Sequence, residues 1–286
     1  AAYDAFLTQN NITDFDSEEE SISAEALYHI FGFGPGASGR AVEPWVVPNS
    51  VFARRTSSFV HQIVAGAIGV PATSFKIPST TPNNFLAENL ETVLKVEEKG
   101  TSTTPDDTLG YVSGSTAEQG EADEQIKTLA YQHFDQSCAY LPDTSRERRD
   151  RLNARTGQYY LWTPAWLYAR VNGAGEVESA ITKKLIGWFD GTLASPDGVD
   201  IQEIIIEAGD IPLCAMQAIR PEGDLSEIQS YAPEKPCNGY YEFVKTGETD
   251  YTACDSNDEC AGFDEETGTT EICSLGFCEL TYSSND

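Results

Sequence analysis

Positive charge is scarce in this sequence. Among 286 residues, 18 are Lys or Arg and 46 are Asp or Glu, so the formal net charge is −28. Binding to nucleic acid or to an anionic membrane surface depends on cations that displace counterions. We therefore expect no nucleic-acid partner. Hydrophobic residues make up 40% of the chain, which is ordinary for a folded protein, so the acidity does not indicate disorder.

Long hydrophobic runs are also missing. The most apolar run, over 63–70, is eight residues long and contains two glycines. A helix that spans a bilayer needs about 20 predominantly apolar residues. The sequence therefore predicts no direct membrane insertion.

The common catalytic signatures are absent. The chain has three histidines and none of the patterns His-Glu-x-x-His, Gly-x-Ser-x-Gly or Cys-x-x-Cys. His133 and Cys138 would point about 140° apart on a helix, so they do not form a local dyad. A pair of carboxylates leaves no local signature. An extracellular hydrolase that uses such a pair, or Cys138, is therefore kept as an alternative.

Helical spacing dominates the first part of the chain. Within 51–70, apolar residues recur at intervals of three and four, which predicts a helix. A second helix is predicted over 84–95. These segments make 1–96 a predicted helical region. The stretch 97–125, rich in Gly, Ser, Thr and Asp, is typical of a linker or long loop.

The region 126–235 is predicted to contain helices followed by an antiparallel sheet. Helical spacing resumes over 122–140, and Thr144 and Glu147 match a capping box. Asn172-Gly173 is a hairpin-turn signal. Short apolar runs separated by Gly, Asp and Pro predict further strands, and these runs are 181–189, 201–206 and 211–218.

The fold class that follows is α+β. We expect a helical N-terminal half, a mostly antiparallel β-sheet in the C-terminal half and a small disulfide-stapled tail over 236–286. Five of the seven cysteines lie in this tail, which indicates disulfides formed outside the cytosol. They are Cys237, Cys254, Cys260, Cys273 and Cys278. Zinc is the alternative, although it favours shorter gaps between ligands and the tail has no histidine.

The tail carries the spacing Cys254-x5-Cys260-x12-Cys273-x4-Cys278. This pattern resembles the short four-cysteine modules at the ends of secreted bacterial surface proteins, and the resemblance covers only these residues. Four cysteines allow three connectivities. The resemblance implies the pairs Cys254–Cys273 and Cys260–Cys278. Cys237 would then pair with Cys214 or Cys138, leaving one free thiol.

A calcium site is the one cofactor hypothesis that the tail offers. Asp255, Asn257, Glu259 and Glu266 occupy positions one, three, five and twelve of a calcium-loop template. The template needs glycine at position six, where this chain has Cys260, so a true EF-hand is not expected. A looser Ca²⁺ site is the remaining hypothesis, and a solvated acidic loop is the simpler interpretation.

Arginines are concentrated in one short segment. They are Arg146, Arg148, Arg149, Arg151 and Arg155. In a chain of net charge −28, they could form a docking face for an acidic surface of a protein partner or of a second copy. The alternative is a solvated helix supported by ion pairs four residues apart.

These observations favour a non-catalytic component that is secreted, periplasmic or at the cell surface. Such a protein would act by binding a protein partner or by self-association. Besides the hydrolase, a second alternative is a periplasm-facing accessory subunit of a membrane complex.

Overall fold

The computed structural model describes residues 20–79, 83–100, 107–189, 193, 195–223, 225–264 and 269–282. Within these ranges the fold is mixed α+β, with eight α-helices and nine short strands. The chain divides into two units. Unit 1 contains the residues up to Glu147 together with 151–154 and 158–162. Unit 2 contains 148–150, 155–157 and the chain from Thr163 onwards.

Unit 1 combines helices with short parallel strand pairs. Its helices are α1 (Ala24–Phe33), α2 (Phe59–Ala67), α3 (Asn89–Lys99) and α4 (Gly114–Ala122). Its strands are β1 (Ser21–Ser23), β2 (Ala53–Arg54), β3 (Phe85–Leu86) and β4 (Ala130–Gln132). β1 pairs with β4 and β2 with β3, both in parallel. The apolar faces of α1 and α2 meet in one core.

Helix α1 shows how the sequence sets both of its ends. The Ser23 hydroxyl accepts a hydrogen bond from the Ala26 amide and caps the first turn. Leu27, Ile30 and Phe31 are buried at the spacing of one helix face. The helix ends at Gly34, whose φ is 98°. A Cβ at this position would lie 2.7 Å from the Lys76 carbonyl oxygen, so only glycine fits.

Two of the predicted helices in unit 1 are confirmed with different bounds. The helix predicted within 51–70 is α2, which buries Ile63 and Val64 as expected. The helix predicted over 84–95 is α3, which starts and ends later. Its predicted apolar residues Leu90 and Leu94 are exposed, and Thr92 and Val93 are buried instead.

Two other predictions in this region are wrong. Helix α4 lies inside the predicted linker 97–125, and the predicted helix over 122–140 contains strand β4 instead. β4 pairs with β1, more than a hundred residues earlier, and this pairing buries Tyr131. Local periodicity carries no information about such a distant partner. At the expected capping box there is no helix, because the Asp143 carboxylate binds the backbone and side chain of Arg151 and organises a loop.

Unit 2 is helical where the sequence predicted a sheet. Its helices are α6 (Ala180–Phe189), α7 (Ile201–Glu207) and α8 (Asn238–Thr246). The single turn α5 (Leu152–Arg155) belongs to unit 1 except for Arg155, which is part of unit 2. The prediction of strands over 181–189 and 201–206 is therefore wrong. Short apolar runs fit a strand or a helix equally well. At α7 a helix is favoured because the Asp200 carboxylate caps its first turn, where it accepts hydrogen bonds from the Gln202 and Glu203 amides.

Antiparallel pairing does occur in unit 2, in two small sheets. β5 (Ala218–Ile219) pairs with β6 (Gln229–Ser230). In the tail, β7 (Phe263–Asp264), β8 (Thr269–Ser274) and β9 (Phe277–Tyr282) form a three-stranded antiparallel sheet in that order. Over the part of the chain that the structure describes, no helix has the length and apolar character that crossing a bilayer requires.

Candidate functional site

Three disulfides staple unit 2. Cys254–Cys273 and Cys260–Cys278 have Cα–Cα distances of 5.9 and 5.5 Å, and Cys214–Cys237 has 5.2 Å. The pairing within the tail is the one that the resemblance implied. Cys237 takes the first of its two predicted partners, and Cys138 is an exposed free thiol. Closing loops of this size stabilises the fold by about 3 kcal/mol per bond.

The turn between β8 and β9 is made by Leu275 and Gly276. Their φ angles are 48° and 88°, so both residues lie in the left-handed region. A tight hairpin turn of this kind strongly prefers Asn, Asp or Gly at its first position. At positive φ the Cβ crowds the following carbonyl oxygen, which costs about 1–2 kcal/mol for a residue such as leucine that has no local hydrogen bond to offset it. Leu275 is nonetheless 49% exposed. The hairpin therefore holds an apolar side chain at its tip, exposed to solvent and in an unfavourable backbone conformation.

Beside this turn lies an open groove of about 430 Å³, which we call the tail groove. Helix α8 contributes aromatic side chains, and the cystine hairpin and the loop before it contribute apolar and acidic ones. The lining residues are Tyr240, Phe243, Ala253, Cys254, Asp255, Glu259, Leu275, Gly276 and Phe277. The groove thus combines three aromatic rings and a leucine with two exposed carboxylates.

Close packing fixes the two walls of the tail groove against each other. The rings of Phe243 and Phe277 have their centroids 5.8 Å apart. A Cβ at Gly239 would lie 2.7 Å from the Cβ of Tyr251 and 2.9 Å from that of Phe277, so helix and hairpin approach at a glycine. The Tyr240 hydroxyl donates to Asp200, the residue that caps α7. Burial, followed by this hydrogen bond, raises the pKa of Tyr240.

Beneath the groove, Glu279 joins the hairpin to the start of α8. This buried carboxylate accepts hydrogen bonds from the Gly239 amide at 2.6 Å and from the Asn238 side chain at 3.1 Å. Burial raises the pKa of Glu279, and the two hydrogen bonds oppose the shift. The same Asn238 side chain accepts a hydrogen bond from Arg155, which connects the tail to a buried cation.

Arg155 is the centre of this polar network. Its guanidinium is fully buried and donates to the Ala215 carbonyl, to Asn238 and to the Glu242 carboxylate at 2.9, 2.6 and 3.1 Å. It also lies over the Tyr241 ring, 4.8 Å from the centroid. An arginine so enclosed is a structural element of unit 2, so the prediction that Arg155 belongs to a docking face is wrong.

The other arginines of the run do not form one surface. Arg151 is buried and pairs with Glu118 at 2.5 Å and with Asp143 at 2.7 Å, so it too cannot dock a partner. Arg146 is largely covered and pairs with Glu121 at 3.1 Å. Arg148 is exposed and Arg149 partly exposed. The predicted five-arginine face is therefore wrong, because most of its members stabilise the fold.

The predicted calcium ligands also serve local structure. The Glu259 carboxylate accepts a hydrogen bond from the Asp255 amide at 2.9 Å, and the Asn257 side chain accepts one from the Cys273 amide at 2.8 Å. Glu266 lies outside the described residues. Within the described ranges, the one group of three potential ligand side chains is made of cysteine sulfurs that are already in disulfides. Asp255 and Glu259 have a different place, on the wall of the tail groove.

His61 and His133 have partners other than Cys138. His61 is buried, with Nε2 donating to the Ala72 carbonyl and Nδ1 accepting from the Tyr111 hydroxyl at 2.5 Å. Burial lowers its pKa. His133 stacks on Tyr160 with centroids 3.4 Å apart. The close neighbour that the structure gives to the Cys138 sulfur is the Ser137 hydroxyl, at 3.8 Å.

The sequence singles out three of the groove residues, Asp255 and Glu259 as carboxylates and Cys254 as a disulfide cysteine. No local pattern marks the aromatic residues Tyr240, Phe243 and Phe277. One signal was available: Leu275-Gly276 stands between two strand-like runs where Asn-Gly would be expected. Comparisons with protein families, with curated proteins and with solved structures find no match for this chain, so the groove is interpreted from its own geometry.

Proposed function

We propose that this protein is a non-catalytic binding protein whose tail groove receives a segment of a protein partner that is both cationic and partly apolar. The observation that carries the proposal is Leu275, held exposed at the rim of the groove in a left-handed turn. Natural proteins keep such unfavourable conformations mainly where function needs them. An apolar side chain in this place costs stability and offers contact area to a ligand.

Charge favours a cationic ligand. Residues 237–286 contain twelve Asp and Glu and a single Lys, so the tail carries a strong negative potential. Such a potential attracts basic segments over several ångströms and selects against acidic ones. Asp255 and Glu259 place two of these charges directly at the groove.

The aromatic wall favours an organic cation over a bare metal ion. Arg and Lys side chains bind well over aromatic faces, where the ring quadrupole attracts them. Their methylene stems cover apolar surface at the same time. Phe243 and Leu275, both about half exposed, supply that surface. A divalent cation would gain nothing from these residues, because it prefers a shell of oxygen ligands.

The disulfides support two parts of the proposal, namely that the groove is rigid and that the protein acts outside the cytosol. Two of them enclose the loop and hairpin that line the groove, and a preorganised site loses less entropy on binding. Such bonds persist in oxidising compartments. We therefore propose that the protein acts outside the cytosol, as a secreted, periplasmic or cell-surface component.

Calorimetric titration of the full chain tests the proposal. The probes are blocked hexapeptides of Ala and Gly that contain one Leu and one Arg, with matched peptides in which Gln replaces Arg. We expect the Arg peptides to bind and the Gln peptides to bind at least about tenfold more weakly. Equal affinity for both peptides, or no binding of either, would overturn the proposal.

A matched pair of variants locates the binding. Replacing Asp255→Asn and Glu259→Gln together removes two charges at the groove and keeps the hydrogen-bond acceptors, which should weaken the Arg peptides about tenfold. Asp258→Asn is the control, because Asp258 is an exposed acid of the same loop outside the groove lining. Binding that falls equally in the control would show that the tail attracts cations without using the groove.

A further inference from the structure

An exposed arm extends from unit 2 over residues 163–179. Its turn is closed by Asn172, whose side chain accepts hydrogen bonds from the Ala174 and Glu176 amides, and Val171 bridges to Val177 across it. Most of the arm is exposed. It carries four large apolar residues on its first limb, Trp166, Leu167, Tyr168 and Val171, each of them at least 49% exposed.

The first limb of this arm differs in charge from the rest of the chain. Over 163–171 there is one Arg and no Asp or Glu, whereas Glu176 and Glu178 lie on the second limb. Arg170 lies at the end of the first limb with its side chain 87% exposed, in an exposed pair with Glu178. Such a pair is worth less than about 1 kcal/mol and is easily exchanged for another. The arm therefore presents a cation next to apolar groups.

The side chains of the arm match what the tail groove selects. Trp166, Tyr168 and Arg170 occupy alternate positions in a limb that has no helical structure, so an extended conformation in the docked state would place their side chains on the same side. Trp, Tyr and Arg are also the residues that contribute most to protein interfaces. The groove offers the complementary chemistry, with aromatic rings, an exposed leucine and two carboxylates.

We infer that the arm of one copy of this chain docks in the tail groove of a second copy. This inference rests on the proposed function, for which it names the partner. Because the arm and the groove are different surfaces, the contact is heterologous, and each copy keeps one unused arm or groove. Repetition of the contact builds open chains of molecules or closed rings.

Sedimentation velocity on wild type and two complementary variants tests the inference. The arm variant is Trp166→Ser with Tyr168→Ser, and the groove variant is Asp255→Lys with Glu259→Gln, in which the glutamine keeps an acceptor for the Asp255 amide. All four side chains are exposed, so the fold should persist, as circular dichroism will check. Wild type should form species that grow with concentration, and each variant alone should remain monomeric. Leu213→Ser, which changes another exposed apolar residue of unit 2, should assemble like wild type.

Mixing the two variants gives the decisive result. The groove variant keeps its arm and the arm variant keeps its groove, so an equimolar mixture should form heterodimers and nothing larger. A mixture that stays monomeric, or a wild type that never associates, would overturn the inference.

A blocked peptide of the first limb, residues 163–171, distinguishes failure of this inference from failure of the proposed function, and Arg170 is its one charged residue. It is titrated into wild type beside the Leu-Arg hexapeptide. Binding of the hexapeptide without binding of the arm peptide would refute self-association and leave the groove as a site for another protein. Absence of binding by both would refute the two proposals together.

Discussion

Units 1 and 2 are stabilised by different means. In unit 1 the buried apolar side chains form one large cluster, which includes Ile30, Phe31, Val51, Ile68 and Tyr131. The buried cluster of unit 2 is much smaller and consists of Ile206, Ala215, Cys237 and Tyr241. Unit 2 adds three disulfides and the network around Arg155.

This difference explains how unit 2 stays folded while some of its large apolar side chains are exposed to solvent. Disulfides and charge-assisted hydrogen bonds stabilise its fold without using its larger apolar side chains. Tyr168, Phe243 and Leu275 consequently stay exposed. Contiguous exposed apolar residues mark interaction sites in folded proteins. Among the described residues, most of the exposed large apolar side chains lie in unit 2, although Phe59, Leu90 and Leu94 of unit 1 are exposed as well.

Reduction of the disulfides should produce the largest difference in stability between the two units. An excess of dithiol removes about 3 kcal/mol per bond from unit 2 and leaves unit 1 without a direct effect, since no disulfide lies there in the described residues. Hydrogen exchange should show lost protection in α8, β8 and β9 and retained protection in α1 and α2. Full protection of α8 after complete reduction would contradict the account. Cys138→Ser, at the exposed thiol, should change neither unit.

Arg155→Met should destabilise unit 2 by about 3–5 kcal/mol, because it removes the buried hydrogen bonds to the Ala215 carbonyl and Asn238 and the ion pair with the partly exposed Glu242. Urea unfolding followed by hydrogen exchange measures the loss unit by unit. Arg148→Met is the matched control at an exposed position and should stay within about 0.5 kcal/mol of wild type. Equal effects of the two substitutions would contradict the structural role of Arg155.

One buried group in each unit should contribute to the acid response, and the two contributions have opposite signs. Burial lowers the pKa of His61 in unit 1, so its unfolded form binds more protons and its contribution destabilises unit 1 as the pH falls below about 6.5. Burial raises the pKa of Glu279 in unit 2, so its folded form binds more protons. Its contribution therefore stabilises unit 2 as the pH falls through that raised pKa towards 4.5, the ordinary value of a glutamate.

Each of these two groups changes the free energy of unfolding by at most about 1.4 kcal/mol per pH unit. His61→Gln and Glu279→Gln remove one contribution each, so the difference from wild type isolates it by hydrogen exchange at a series of pH values. A pH slope of unit 1 that is unchanged in His61→Gln would show that the histidine does not titrate as described. The same comparison applies to Glu279→Gln in unit 2.

Sequence patterns predicted the parts of the fold that local physics determines. The periodic apolar face of α2 needs no partner to be recognised, and the disulfides were expected from cysteine density. Strand β4 and helices α6 and α7 were missed because short apolar runs take their structure from distant contacts or from a cap such as Asp200. Arg155 looked like surface charge because its partners lie more than sixty residues away in most cases.

The tail groove could not be predicted from the sequence for the same reason. Its walls come from a helix, a loop and a hairpin that only the folded chain brings together. The carboxylates Asp255 and Glu259 are visible in the sequence, but their spacing favours a solvated acidic loop, with a loose calcium site as the alternative, and gives no sign of an aromatic groove. The sequence did contain one signal, a leucine at position 275 of a tight turn. This position has a positive φ, which leucine disfavours.

Leu275→Asn tests the central claim most directly, since asparagine favours the left-handed turn and removes the apolar side chain from the groove. The account predicts that this variant is more stable than wild type by about 1 kcal/mol and binds the Leu-Arg hexapeptide about tenfold more weakly. Leu280→Asn, at an exposed leucine of the same hairpin outside the groove lining, should leave binding unchanged. Stability and affinity are measured by urea unfolding and calorimetry. A Leu275→Asn variant that is stabilised and still binds with full affinity would contradict the account.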